Sequence, residues 1–196
     1  EPRHAEEGLP GVVVDADELL VYPHSETVRL NQLCGYLETS GCDGMMAYLI
    51  DQYGDGPLAD AAYTPGQPFG EACRYFDAQP GWMRAYSGSV PAVQMFGGVR
   101  ERAFWRGPFR KLMPPCLSKV PLVKWQHGMR YLAAQHTISR AKLAPVTGGL
   151  LHYKFLIGFQ DKNAQEVSQN DDLVEKGLQE REAYAAAIRA NPKLSL

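Results

Sequence analysis

The stretch GVVVDADELLVYP, Gly11 to Pro23, restricts the fold more than any other part of the chain. Three β-branched valines favour an extended strand. They run directly into Asp15, Asp17 and Glu18 before apolar residues resume at Leu19. Carboxylates are seldom fully buried unless paired or bound to a metal. The pattern therefore predicts a buried strand, VVV, that ends in a loop carrying the acids. In open α/β sheets ligands sit in the crevice outside the carboxyl ends of the strands. Carboxylates placed there face solvent while the strand stays covered.

The segments that follow alternate in type. In SETVRLNQLCGYLETSG, Leu30, Leu33, Cys34 and Leu37 keep the i, i+3, i+4, i+7 spacing of a helix face. Ser25 or Thr27 is placed to cap that helix and Gly41 to close it. GMMAYLI reads as the next strand, so strand, helix and strand together predict an α/β fold. Residues 51–91 are rich in Gly, Pro, Tyr and Asp and lack periodicity, which predicts a long irregular connection of the functional or mobile kind. KVPLVKW and GGLLHYKFLIGF read as further strands, and residues 163–190 as a helical tail. No internal repeat or low-complexity segment is present.

At 196 residues the chain has room for one domain with a real core. Its 45% apolar and 21% charged residues are those of a soluble globular protein. A net charge of -2 argues against generic nucleic-acid binding, so no nucleic-acid partner is expected. The charge is uneven along the chain, however. Arg100, Arg102, Arg106, Arg110, Lys111, Lys119, Lys124 and Arg130 face one acid, Glu101, between Val99 and Arg130. Such a block either draws anions such as phosphates or is a solvated face balanced from elsewhere.

Cys34, Cys42, Cys73 and Cys116 form no C-x-x-C pair, so neither a zinc framework nor a dense disulfide scaffold is indicated. A reduced, cytoplasmic protein is the expectation. No apolar run reaches the ~18 residues of a membrane span, and the first ten residues are too polar for a signal peptide. No transmembrane segment is expected, and the basic block leaves only peripheral membrane contact open.

Asp-x-Asp at a strand end has three chemical readings. It can hold Mn²⁺ or Mg²⁺, hard cations that take carboxylate oxygen, keep waters and bind substrate phosphates. It can supply a nucleophile and an acid/base for phosphate ester hydrolysis, as in haloacid-dehalogenase-type phosphatases. Or it can do turn and capping work alone.

The segment VVVDADELLVYP resembles the metal-binding segment of bacterial family 2-like glycosyltransferases with the GT-A-type fold. The similarity continues, in the family's order, through MFGGVRERAFW, LSKVPLVKW, QHTIS and GGLLHYKFLIGF, covering residues 11–184. The resemblance implies a GT-A-like mixed sheet flanked by helices, with a C-terminal helical segment over 159–196. It implies transfer of a sugar from a nucleotide-diphosphate sugar to a glycan or other hydroxyl acceptor, with Mn²⁺ or Mg²⁺ as cofactor. Asp17 would be the direct metal ligand, Asp15 would contact metal or ribose, and Glu18 would stand beside them. A late histidine, His152, would complete the metal shell, and Lys154 would contact the diphosphate. Gly97 and Gly98 would let the backbone pass close to the sugar.

Several of these residues have plainer alternatives. His152 also suits an ordinary packed histidine, and His136 a structural hydrogen bond. For the base, Glu101 is the choice because Arg100 and Arg102 would keep it ionised; a plain salt bridge fits the same facts, and Asp43 and Asp77 are the other acids in range. Arg100 counts among the substrate-binding residues. Trp82, Trp105 and Trp125 offer stacking surfaces or core packing.

A complete GT-A-type domain carries strand–helix–strand units, with most nucleotide-base contacts, before its Asp-x-Asp. Here fourteen residues precede Asp15. The expectation is a single, partial domain over 1–196 that holds the metal and acceptor half, transfers weakly or not at all alone, and leaves the sheet edge before Val12 uncovered. Two other functions compete. In a phosphohydrolase, Asp15 would attack phosphate, Asp17 would serve as acid/base, Lys119 or Lys124 would anchor phosphate, and Asp171 and Asp172 would be distal metal acids. A non-catalytic remnant that binds sugar or a partner protein is the third.

Overall fold

In the computed structural model, the described residues are 8–79, 81–105, 107–156, 158–159, 163, 165 and 175–195. The chain divides into two compact units. One comprises Glu1–Leu49, Met83–Met95 and Cys116–Leu151; the other comprises Ile50–Trp82, Phe96–Pro115 and His152–Leu196.

The strands in chain order are β1 (Pro10–Val12), β2 (Glu18–Val21), β3 (Gly44–Asp51), β4 (Trp82–Ala85), β5 (Val93–Phe96), β6 (Ser118–Lys124) and β7 (Leu143–His152). Five of them form one sheet in the order β1-β6-β3-β7-β2, and β4 pairs with β5. The helices are α1 (Leu30–Thr39), α2 (Phe69–Ala72) and α3 (Glu175–Ala190). The α/β class expected from the strand–helix–strand pattern is what the chain adopts.

The first unit is built on the sheet. β6 is buried on both faces and runs antiparallel to β1 and to β3. Its Pro121 has no N–H to donate, and the register with β3 slips there: Met45 faces Leu122, but Ala47 faces Lys119. The extra residue on β6 is the accommodation that a proline inside a sheet requires. At Gly44 a Cβ would stand 2.5 Å from the Leu122 carbonyl oxygen, so the close approach of β3 to β6 needs glycine.

Helix α1 packs Leu33 and Leu37 on Cys42, Met45 and Leu122. It begins after Arg29, whose N–H donates to Gln32 Oε1 at 2.8 Å. Ser25 and Thr27 lie in the turns before it and do not cap it. Gly41, at φ +61°, closes the helix as expected. Its N–H donates to the Glu38 carbonyl, and the next N–H, of Cys42, reaches back to Leu37.

The three valines depart from expectation. Val12 is 40% exposed because β1 is an edge strand whose one sheet neighbour is β6, and Val14, 37% exposed, lies beyond the end of that strand. β-branched composition identified the extended conformation but not the strand's place in the sheet.

The second unit is packed around rings. Phe104, Phe155, Phe159 and Tyr184 meet at centroid distances of 4.6 to 6.4 Å, and Tyr53, Trp105 and Leu194 complete the core. Trp105 is thus a core residue. Among the described residues, no helix is long and apolar enough to cross a membrane.

Candidate active site

In the first unit, the acids form a turn between β1 and β2. The Glu18 N–H donates to the Asp15 carbonyl (3.0 Å), and the Asp15 N–H donates back to Glu18 Oε2 (3.1 Å). Lys119, itself buried in β6, donates to Glu18 Oε1 and to Asp15 Oδ2, the latter at 2.8 Å. The side chain of Glu18 is 1% exposed and that of Asp15 is 56% exposed. Three carboxylates fit between two apolar runs because one of them turns inward onto a buried ammonium. The other two stay at the surface of the turn.

That arrangement bears on a metal. Exposed carboxylates at i and i+2 of a turn suit an oxygen-preferring cation that keeps part of its water. Asp15 is exposed and Asp17 half-buried, and Asp15 shares one oxygen with Lys119. Glu18 has both oxygens engaged within the protein and does not fit. Among the described residues, no group of three or more His, Cys, Asp or Glu side chains is gathered in a metal-like cluster.

Of the two lysines that a phosphohydrolase would use, Lys119 is at Asp15 and Lys124 pairs instead with Glu38. Asp171 and Asp172 lie outside the described residues. His136 Nδ1 donates to the Ser118 carbonyl at 2.8 Å, which is the structural role. Asp43 accepts from Gln126 and from the Lys142 N–H and so serves to hold loops. Trp125 packs edge-on against Tyr131.

In the second unit, the last residues of β3 and β7, Asp51 and His152, meet a π-helical turn over Arg100–Phe104. Arg100 grips Asp51 with two hydrogen bonds, Nε to Oδ2 at 2.8 Å and Nη2 to Oδ1 at 2.7 Å. His152 Nδ1 lies 2.6 Å from the same Oδ1. A carboxylate can only accept, so Nδ1 carries a proton and donates it. Nη2 of Arg100 approaches that nitrogen to 2.8 Å because both donors converge on one oxygen. A neutral ring in this state has its lone pair on Nε2. Carboxylates set the rings of metal-binding histidines in this way, and they do the same for purely structural ones.

Burial alone would raise the Asp51 pKa. The Arg100 charge and the His152 hydrogen bond outweigh it and hold the carboxyl far below the usual range. Lys154 lies beyond the end of β7, not in a strand with His152. Its ammonium sits 3.3 Å from Glu180, 3.4 Å from the Tyr184 hydroxyl and 4.7 Å above that ring's centre. Burial, then repulsion from Arg100, pulls its pKa down to about 8.

A second arginine of the basic block is also committed. Arg102 binds Asp77 through Nε and Nη2 (2.7 and 2.8 Å) and reaches the Leu194 carbonyl. With Arg100 on Asp51, Lys119 on Asp15 and Glu18, and Lys124 on Glu38, four cations of the block are balanced by named acids. Arg106 lies outside the described residues.

Glu101 therefore lacks the salt bridge its neighbours suggested. Its one partner among the described residues is neutral: Trp82 Nε1 donates to Oε2 at 2.7 Å. The π-turn explains this, since it turns Arg100 inward to 4% exposure and leaves Glu101 at the surface. Glu101 and Trp82 line a cavity of about 670 Å³, together with Gly97 and Gly98. Both also line a second cavity of about 440 Å³. Gly97, at φ +130°, crosses Gly81 so closely that a Cβ would stand 2.5 Å from the Gly81 Cα. The close approach seen at Gly97 is to the Gly81 backbone.

Asp51 is the residue that sequence reasoning passed over. A usable signal was present, because Asp51 ends the apolar run MMAYLI just as Asp15 ends VVV. Comparison with protein-family models, with curated proteins and with solved structures gives no match for this chain.

Proposed function

We propose that the chain is part of a metal-dependent glycosyltransferase of GT-A type that uses a nucleotide-diphosphate sugar. The observation that supports this most is the acidic turn. Glu18 turns inward onto Lys119, while Asp15 stays exposed and Asp17 half-buried in the same turn, both of them hard oxygen donors. Asp17, Asp15 and His152 are the ligands the resemblance assigns, and in the second unit the Asp51 carboxylate fixes the His152 ring. Held by the carboxylates of the turn, Mn²⁺ or Mg²⁺ would supply Lewis acidity to the diphosphate oxygens.

In the transfer itself, the acceptor oxygen forms a bond to the anomeric carbon while the bond from that carbon to the diphosphate oxygen breaks. The diphosphate leaves with the electron pair. The acceptor's proton goes to Glu101, whose Oε1 has no partner among the described residues.

Calorimetric titration of Mn²⁺, with and without UDP or GDP, tests this reading. Expected is Mn²⁺ binding that a nucleoside diphosphate tightens, with both effects lost in Asp17→Ala. Mn²⁺ binding through Asp17 without a nucleotide effect overturns donor use by this chain. The Asp15–Lys119 contact favours a second reading, phosphohydrolysis. Mg²⁺-dependent release of phosphate from an aryl phosphate, abolished by Asp15→Asn, would establish that reading and displace the first.

A further inference from the structure

We infer that the 670 Å³ cavity of the second unit binds an uncharged pyranose, with Trp82 as its platform and Glu101 as its hydroxyl acceptor. The inference names the acceptor of the transfer proposed above and rests on that reading for the sugar's role, though binding can be measured apart from it.

The aromatic surface is preorganised. Trp82 is 39% exposed, unlike the buried Trp105, yet it is not free to turn. One face stacks on Phe96 at 4.5 Å and 19°, and its N–H is tied to Glu101 at 2.7 Å. Phe76, 51% exposed, lines the same cavity. A rigid ring with an apolar face suits the C–H face of a sugar at little cost in side-chain entropy. The volume lies in the range of small-ligand sites.

The polar chemistry selects a neutral ligand. Glu101 Oε2 is held by the indole, and Oε1 has no partner among the described residues, so one carboxylate oxygen is left to accept from hydroxyls. The cation in the lining, Arg102, is neutralised by the bidentate contact with Asp77. The charges of the described lining therefore sum to that of Glu101 alone. A phosphate or a uronate would meet that carboxylate with no available counter-charge, whereas a neutral polyol gives it donors.

Fluorescence titration with methyl hexopyranosides, in the absence of metal and nucleotide, tests the site. Saturable binding is expected, lost in Trp82→Leu and weakened about tenfold in Glu101→Gln, since a hydrogen bond to a charged group contributes about 1.5 kcal/mol or more. The matching methyl glucuronide should bind more weakly than the neutral glycoside. Phe76→Ala, a change at an exposed ring, provides a variant that keeps the fold and should also weaken binding. No saturable binding of any neutral glycoside, equal binding of the glucuronide, or binding unmoved by Trp82→Leu and Phe76→Ala would each overturn the inference. Glycoside binding alongside a negative Mn²⁺ and nucleotide titration would retain the site and remove the transferase reading.

Discussion

The two units differ in how much charge they bury. The first has an aliphatic core on a sheet, with Leu33, Leu37, Met45 and Leu122 in one cluster and Val120, Val123 and Ile138 in another. Its acidic group stands in a turn at the surface, where a single lysine balances the one carboxylate that turns in. The second unit buries a larger cluster, Asp51 with Arg100 and His152, and sets the half-buried pair Lys154 and Glu180 beside the core rings. Buried ion pairs seldom repay their desolvation better than apolar side chains would. The cluster in the second unit differs from the buried Glu18–Lys119 pair of the first in that its carboxylate also accepts from a histidine ring, so it supplies a fixed position for His152.

The largest break in this contrast should come from Asp51→Ala, which strands the Arg100 guanidinium in the interior. A loss of about 3–5 kcal/mol is expected from urea unfolding. The pair Asp51→Leu with Arg100→Met should recover most of it, because both ions go together. In the first unit, Glu18→Ala should cost about 2–3 kcal/mol by removing the buried partner of Lys119. Asp15→Ala, at the exposed end of the same trio, should cost less than about 1 kcal/mol. Equal losses for Glu18 and Asp15 would mean that the inward and outward acids are not distinct.

The smallest effect concerns Tyr53. Burial, then its hydrogen bond to Asp77 (2.6 Å), pushes the phenol up to about 12, against about 10 unfolded. Between those values the folded form holds a proton that the unfolded form has lost, so stability falls as pH rises from about 10 to about 12. The unfolding midpoint of the wild type should therefore drop more steeply across that window than that of Tyr53→Phe.

Local pattern carried far in the first unit and little in the second. Helix α1, its Gly41 closure, β3, β6 and the acidic turn all follow from spacing and turn chemistry within a dozen residues. The exposure of Val12 did not follow, because a strand's rank in a sheet is decided by partners distant in sequence. The same holds for Arg100 and Asp51, which lie 49 residues apart. Sequence neighbours suggested that Arg100 and Arg102 would flank Glu101 as counter-ions. A π-turn instead sent one to Asp51 and the other to Asp77, and gave Glu101 to an indole. Glu101 was singled out as the one acid among basic neighbours, and Gly97 and Gly98 from a resemblance; that they share a cavity with Trp82 is seen only in the fold.

The Asp51–Arg100–His152 cluster also governs how this protein can be dissected. Each of the three stretches that compose the second unit contributes one member: Asp51 from the first, Arg100 from the second and His152 from the third. No contiguous piece of the chain contains this unit's core without the intervening sheet segments. The guanidinium and the carboxylate come from separate stretches, so neither ion is compensated until both are in place, and the third adds the histidine. The unit is therefore assembled all at once or not at all, and trimming the chain to a convenient fragment would release it as a whole rather than shorten it.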